Sequence, residues 1–193
     1  MIQGRRLHRY TYAEYVALER ESPTKHEFLD GEIYAMAGGS EEHSALVAEV
    51  LRVLGNALAS GDRPCRVHTS DLRIYVEAMG LATFPDGAVV CGPLEQHSPS
   101  PEATALNPLV LLEVTSDSSE EYDTGGKLEM YRTIPSLRDY IIVSHRERRI
   151  TVHHRDVGGE WSTRVAIRAG RVLVESVGAT LVVDEIYRRS SIT

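Results

Sequence analysis

LVLLEVTS, residues 109–116, carries one carboxylate in the middle of an apolar run. Leu109, Val110, Leu111, Leu112 and Val114 follow Asn107-Pro108 and read as a strand buried on both faces. Glu113 does not belong there on packing grounds. An ionised carboxylate withdrawn from water costs several kcal/mol unless something compensates it. Either it is protonated, or it is paired with a cation, or the run is less buried than its composition implies.

The elements around this strand set its context. Thr11-Tyr-Ala-Glu14 is a capping-box pattern opening a short helix that ends near Pro23, and residues 25–36 alternate around the hairpin signal Asp30-Gly31. Ser40 begins the longest helix, with Leu46, Val47, Val50, Leu51, Leu54, Ala57 and Leu58 on one stripe and Gly61 past its end. Strands are expected over 66–76, 83–91 and 108–116, with an exposed Pro/Ser/Glu-rich loop at 92–107. A helix over 119–134, weakened at Gly125-Gly126, leads to strands at 139–144, 149–156, 161–167 and 171–176 and a short helical tail. The fold class is therefore α+β: one mixed sheet with a helix on each side and a β-rich C-terminal end, in a single domain over 1–193.

Composition is that of a soluble globular chain, and no apolar run reaches membrane-spanning length. The first residues lack the apolar core of a signal peptide, so a cytoplasmic protein is expected, with Cys65 and Cys91 as reduced thiols. The net charge of −7 speaks against a nucleic-acid partner, but it is unevenly spread. Residues 1–145 hold 12 basic and 22 acidic side chains, whereas residues 146–193 hold 9 basic and 6 acidic ones. Of 21 basic residues only Lys25 and Lys127 are lysines, which marks Lys127 as a position using a compact, titratable ammonium.

Asp86, in FPDGAVV, is a second carboxylate set in an apolar stretch. Alone it reads equally as a turn residue. With Glu113 it suggests neighbouring strands presenting carboxylates at one end of a sheet, where a hard cation such as Mg²⁺ finds oxygen ligands. Asp123, Lys127 and Tyr131 recur every four residues on one helix face. An ordinary Asp–Lys helical pair above a core tyrosine explains that spacing too; the functional reading turns the face toward the metal.

These residues, in this order, resemble a restriction-endonuclease-like family of the PD-(D/E)XK nuclease superfamily that is abundant in cyanobacteria and other bacteria. The matching pieces are YTYAEYVALE, HEFLDGEIYAMAG, His43, DLRI, PDGAVVC, LLEVTSDSSEEYDTGGKLEMY and DYIIVS, from about Tyr10 to Asp184. The resemblance implies a restriction-endonuclease-like mixed sheet and a Mg²⁺- or Mn²⁺-dependent phosphodiesterase that leaves a 5′-phosphate and a 3′-hydroxyl. Asp86 and Glu113 look like the two motif acids, with the Val114 carbonyl as a further metal ligand. Thr115 stands where the typical motif has lysine, and Lys127 fits the displaced lysine of this family. Glu27 resembles the family's additional N-terminal acid and His43 its helix histidine, with Asp123 and Asp71 as outer candidates.

A homodimer is expected, because cutting two strands requires two sites, and Val172 and Val174 are candidate exposed interface residues. Two other readings stay open: a nuclease-like fold that no longer cuts and serves as a nucleic-acid or protein interaction module, and a hydrolase of small phosphoesters. No helix-turn-helix, zinc site or basic aromatic platform accompanies the motif residues, so nothing in the sequence specifies a recognition site.

Overall fold

Thr11 starts the first helix. In the computed structural model, which describes residues 8–59, 61, 63–97 and 104–193, its hydroxyl accepts from the Glu14 amide at 3.2 Å while the Glu14 carboxylate accepts from the Thr11 amide at 2.7 Å. This reciprocal pair opens α1 (Tyr12–Glu21). β1 (His26–Leu29) and β2 (Glu32–Ala35) reverse at Asp30 and Gly31, whose φ values of 44° and 90° are those a two-residue hairpin requires. α2 (Glu41–Ala59) buries Leu46, Val50 and Leu54 along its apolar stripe.

Two expected strands are each divided. The run 66–76 becomes β3 (Cys65–Thr69) and β4 (Arg73–Val76), separated by a turn closed by the Leu72 amide on the Thr69 carbonyl at 3.2 Å. The run 83–91 is interrupted by Phe84-Pro85-Asp86 between β5 (Leu81–Thr83) and β6 (Gly87–Cys91), where proline supplies no ladder donor. Then follow β7 (Thr104–Ala105), β8 (Pro108–Val114), α3 (Glu120–Thr124), α4 (Gly126–Tyr131) and β9 (Asp139–Val143). β10 (Arg149–Arg155), β11 (Trp161–Ile167), β12 (Arg171–Val174), β13 (Ala179–Val182) and α5 (Val183–Ile186) complete the chain. Residues 1–7, and residues 98–103 of the expected loop, lie outside those described.

Among the described residues the single expected sheet is two sheets and a hairpin. The larger runs β11-β10-β9-β8-β6-β3, the smaller β2-β1-β5-β4-β7, and β12 pairs with β13. β8 and β9 run parallel, joined through α3 and α4, whereas β6 lies antiparallel to β8. The fold is mixed α+β with a β-rich C-terminal end.

β8 shows why both of its faces are apolar. Val110, Leu112 and Val114 pack with α2 and with Val172, Val174 and Leu181 of the C-terminal hairpin. Leu111 points the other way, into a cluster with Ile74 and Leu81 of the smaller sheet and Leu128, Met130 and Tyr131 of α4. Glu113, two residues after Leu111, shares that second face. Val172 and Val174 are 4% and 0% exposed, so they are core residues and not the apolar interface the sequence suggested. They fill the layer over α2; the outward apolar residues at this end include Val157, Val165, Ile167 and Leu173.

The thiols are also corrected. β3 and β6 pair so that Cys65 stands directly opposite Cys91, and the two form a disulfide. Their separation of 26 residues gives no sequence sign of this; only the register does. No helix among the described residues is long and apolar enough to cross a membrane.

Leu112 is fully buried between α2 and the sheet. Leu112→Ala is expected to cost about 2–5 kcal/mol in urea unfolding; a loss below about 1 kcal/mol would contradict this placement of the core.

Candidate active site

Antiparallel pairing sets Gly87 opposite Leu112, and one residue further along brings Asp86 beside Glu113. The backbones cross-link the two acids. The Val114 amide donates to Asp86 Oδ2 at 2.8 Å, and the Asp86 amide approaches Glu113 Oε2 at 3.4 Å. Proline at position 85 thus ends β5 and presents Asp86 at the head of β6.

The cation sought by Glu113 is Lys127. Its Nζ lies 2.8 Å from Glu113 Oε1, 2.9 Å from Glu27 Oε1 and 3.7 Å from Asp123 Oδ1. Glu113 and Lys127 are only 5% and 4% exposed. α4 delivers this ammonium because the helix expected over 119–134 breaks at Gly125, whose φ and ψ are −120° and −94°. A Cβ there would lie 2.9 Å from the Glu121 carbonyl oxygen, so glycine is required for the break. Asp123 and Lys127 still face the same way across it.

Sequence reasoning did not assign a site role to the hydroxyl groups around this pair. Tyr131 donates to Glu113 Oε1 at 2.9 Å, Thr83 donates to Glu27, and Tyr122 also hydrogen-bonds Glu27. Tyr131, four residues after Lys127, is a core residue as its spacing implied, yet its hydroxyl belongs to the polar cluster. The four-residue rhythm was the available signal; nothing marked Thr83.

His43 approaches from the first turn of α2. Its Nε2 lies 3.1 Å from Asp86 Oδ2, and its ring also hydrogen-bonds the Val114 backbone. Gly39 makes room for it, since a Cβ at that position would come within 2.5 Å of His43 Nδ1. The structure therefore brings together Glu27, His43, Asp86, Glu113, Asp123 and Lys127. It does not bring Asp71, which is exposed and pairs with Lys25 at 2.8 Å. Thr115, at the position of the usual motif lysine, is buried with its hydroxyl 2.8 Å from His145 Nδ1.

Four carboxylates surround one ammonium and one imidazole. Burial pushes the Glu113 carboxyl up to about 8, against the pull of Lys127, and burial also raises Asp123. Burial alone would lower the Lys127 ammonium, but Glu113, Glu27 and Asp123 more than reverse it, and it stays charged. His43 is raised chiefly by its hydrogen bond to Asp86, against the effect of burial. Excess negative charge in a dry pocket is the physical content of these shifts.

Whether a divalent ion fits can be judged from the same atoms. Among the described residues no three His, Cys, Asp or Glu side chains converge as a ready metal cage. Asp86 Oδ2, Glu113 Oε1 and the Val114 carbonyl are engaged by protein donors, the last by His43, but two adjacent carboxylates and a carbonyl are the oxygen donors that suit a hard cation. Asp86 keeps 18% of its side chain exposed, which leaves a way in.

Removing Lys127 strands its carboxylates, so Lys127→Met is expected to lose about 3–5 kcal/mol of stability in chelator-treated protein, and adding Glu113→Gln should recover part of it. A Lys127→Met variant as stable as wild type would refute the pairing. The sign of the pH dependence follows from Glu113: its folded value lies above the ordinary 4.5, so its contribution is full below that value and is lost as pH rises through about 8. Glu113→Gln should therefore gain on the wild type between acid and mildly alkaline pH in thermal unfolding with chelator present; a constant difference would contradict the shift.

Comparison with known proteins identifies the family and the fold. The family model described as "Uma2: Putative restriction endonuclease" matches residues 12–182. One Synechocystis protein is 36% identical over 175 residues, covering 91% of this chain and 90% of its own, and another is 32% identical over 148 residues, covering 77% and 81%. The fold is shared with a crystal structure titled a "putative nuclease belonging to DUF820" from Anabaena variabilis, with a TM-score of 0.73 at 20% identity over 93% of this chain and 98% of that one. Matched over most of its length by the family model and by the first of these relatives, the chain belongs to the Uma2 family of restriction-endonuclease-like proteins.

Proposed function

We propose that this protein is a metal-dependent endonuclease that hydrolyses phosphodiester bonds in DNA. The observation that carries the reading is the charge imbalance at the ends of β6 and β8, where Asp86, Glu113, Glu27 and Asp123 face Lys127 and His43. A Mg²⁺ or Mn²⁺ ion is the simplest complement to it. Asp86, Glu113 and the Val114 carbonyl would hold that ion. When bound, such an ion supplies positive charge to the phosphoryl oxygens and acidifies a water.

The chain's own residues then divide the work. Lys127 is fixed by two carboxylates at 2.8 and 2.9 Å, so it acts as a preorganised charge for the growing phosphorane and not as a mobile base. Glu27 is a positioning residue, holding Lys127 from the opposite side to Glu113. Tyr131 fixes the Glu113 rotamer by donating to Oε1. His43, braced by Gly39, orients Asp86 from α2. Asp71 takes no part in this reading.

Cutting both strands calls for two such sites, so a homodimer belongs to the same proposal; so does a cytoplasmic location, where DNA is met and where the Cys65–Cys91 disulfide would have to persist against reduction. The test is cleavage of supercoiled plasmid in Mg²⁺ and in Mn²⁺. Wild type is expected to nick and linearise it, while Asp86→Asn, Glu113→Gln and Lys127→Met each lose about 10²–10³-fold in rate. A Glu113→Gln protein that cuts as fast as wild type, or a wild type that cuts no DNA in either metal, would overturn the reading in favour of a non-cutting interaction module.

A further inference from the structure

Thr115 stands where β8 and β9 separate. Val114 and Val143 are the last residues of the two strands in register. One residue further on, the Thr115 amide still donates to the Val143 carbonyl at 2.9 Å. In a continuing parallel ladder the next rung would join the His145 amide to the Thr115 carbonyl. The His145 amide donates instead to the Thr115 hydroxyl at 3.1 Å, and the same hydroxyl oxygen lies 2.8 Å from His145 Nδ1. A side chain thus closes the ladder.

Packing alone does not call for this hydroxyl. Thr115 is 2% exposed and continues an apolar strand in which valine would fill the same space. A hydroxyl removed from water is unfavourable unless it finds hydrogen-bond partners, and here both partners come from His145. The network continues outward from that ring. His145 Nε2 lies 3.1 Å from Asp117 Oδ1. The hydrogen bond with His145, and then the charge of Arg146, hold the Asp117 carboxyl below its usual range, so it is ionised and accepts from Nε2. Arg146 in turn donates to Asp117 Oδ1 at 2.9 Å and to Glu120 Oε2 at 2.7 Å. Glu120 opens α3, which leads through the break at Gly125 to Lys127.

The inner end of the network reaches Val114. The Thr115 N–H and the Val114 C=O belong to one trans peptide plane and point in opposite directions. An amide held on β9 therefore sends the Val114 carbonyl toward β6. There His43 donates to that carbonyl, and Asp86 accepts from the Val114 amide at 2.8 Å. A carbonyl oxygen has two lone pairs, so the bond from His43 leaves one for a cation.

We propose that Thr115 and His145 are positioning residues for the metal site, fixing the plane of the Val114 peptide so that its carbonyl faces the space beside Asp86 and Glu113. The proposal rests on the metal reading given above and adds the side chains that aim its backbone ligand. Buried as it is, the Thr115 hydroxyl reaches no substrate and works only through the backbone. Groups that orient a ligand in this way change metal affinity by about 10–100-fold when they are removed.

The experiment titrates Mn²⁺ by calorimetry into the full chain, with the unfolding midpoint of every variant measured in chelator. Thr115→Val should weaken Mn²⁺ binding by about tenfold or more, and His145→Ala should weaken it in the same direction. Thr115→Ser, which keeps the hydroxyl, should bind nearly as the wild type does. Ile186→Ala serves as the control for stability alone, because Ile186 is buried in α5 against the C-terminal hairpin; it should lower the midpoint and leave Mn²⁺ affinity unchanged. A Thr115→Val protein that binds Mn²⁺ as tightly as wild type would overturn the proposal and leave the metal reading standing. So would a Thr115→Ser protein that binds no better than Thr115→Val, or an Ile186→Ala protein that loses as much affinity. A wild type that binds no Mn²⁺ would overturn both.

Discussion

Lys127 Nζ, 2.8 Å from Glu113 and 2.9 Å from Glu27, ties together three parts of the molecule that the chain supplies separately. Glu113 comes from the central strand β8, Glu27 from β1 in the smaller sheet, and Lys127 from α4, which packs between them. Each group alone would be an intolerable buried charge; together they offset one another only in part. Geometry that leaves negative charge over is poor economy for a core and good preparation for a cationic ligand. The hydrophobic clusters on both faces of β8 hold this arrangement in place and keep water from screening it.

The same layering explains why the site opens where it does. β6 and β8 are antiparallel neighbours, and the turn at Pro85 leaves Asp86 partly exposed while Glu113, on the inward face, is almost wholly covered. α2 begins nearby, so His43 reaches Asp86 from outside while its apolar stripe secures the helix to the sheet. The C-terminal hairpin covers the other flank of α2, and the tail returns to Glu42 beside His43. The β-rich end therefore packs on the helix that carries His43.

Much of this was legible in the sequence because it is local. The Thr11 capping box, the Asp30-Gly31 hairpin and the stripe of α2 follow from spacings of a few residues. So does the conflict at Glu113, since one acid in a strand covered on both faces has few explanations. The partition of 66–76 and 83–91 between two sheets was hidden because each run is continuous in β-forming residues, and a short turn does not reveal which sheet each half joins. The Cys65–Cys91 disulfide, the burial of Val172 and Val174 and the clasp of the tail on Glu42 are consequences of register and layering across long separations. Thr83 and Tyr122 entered the polar cluster for the same reason: hydroxyl groups become informative only once their neighbours are known.

The central claim is that the uncompensated carboxylates at the ends of β6 and β8 hold a divalent cation. The most direct measurement is anomalous diffraction from crystals soaked in Mn²⁺. The account predicts a single strong peak at about 2.1 Å from oxygens of Asp86, Glu113 and the Val114 carbonyl, with Lys127 still held by Glu27. An anomalous map with no peak there, and Glu113 bonded only to Tyr131 and Lys127, would contradict it.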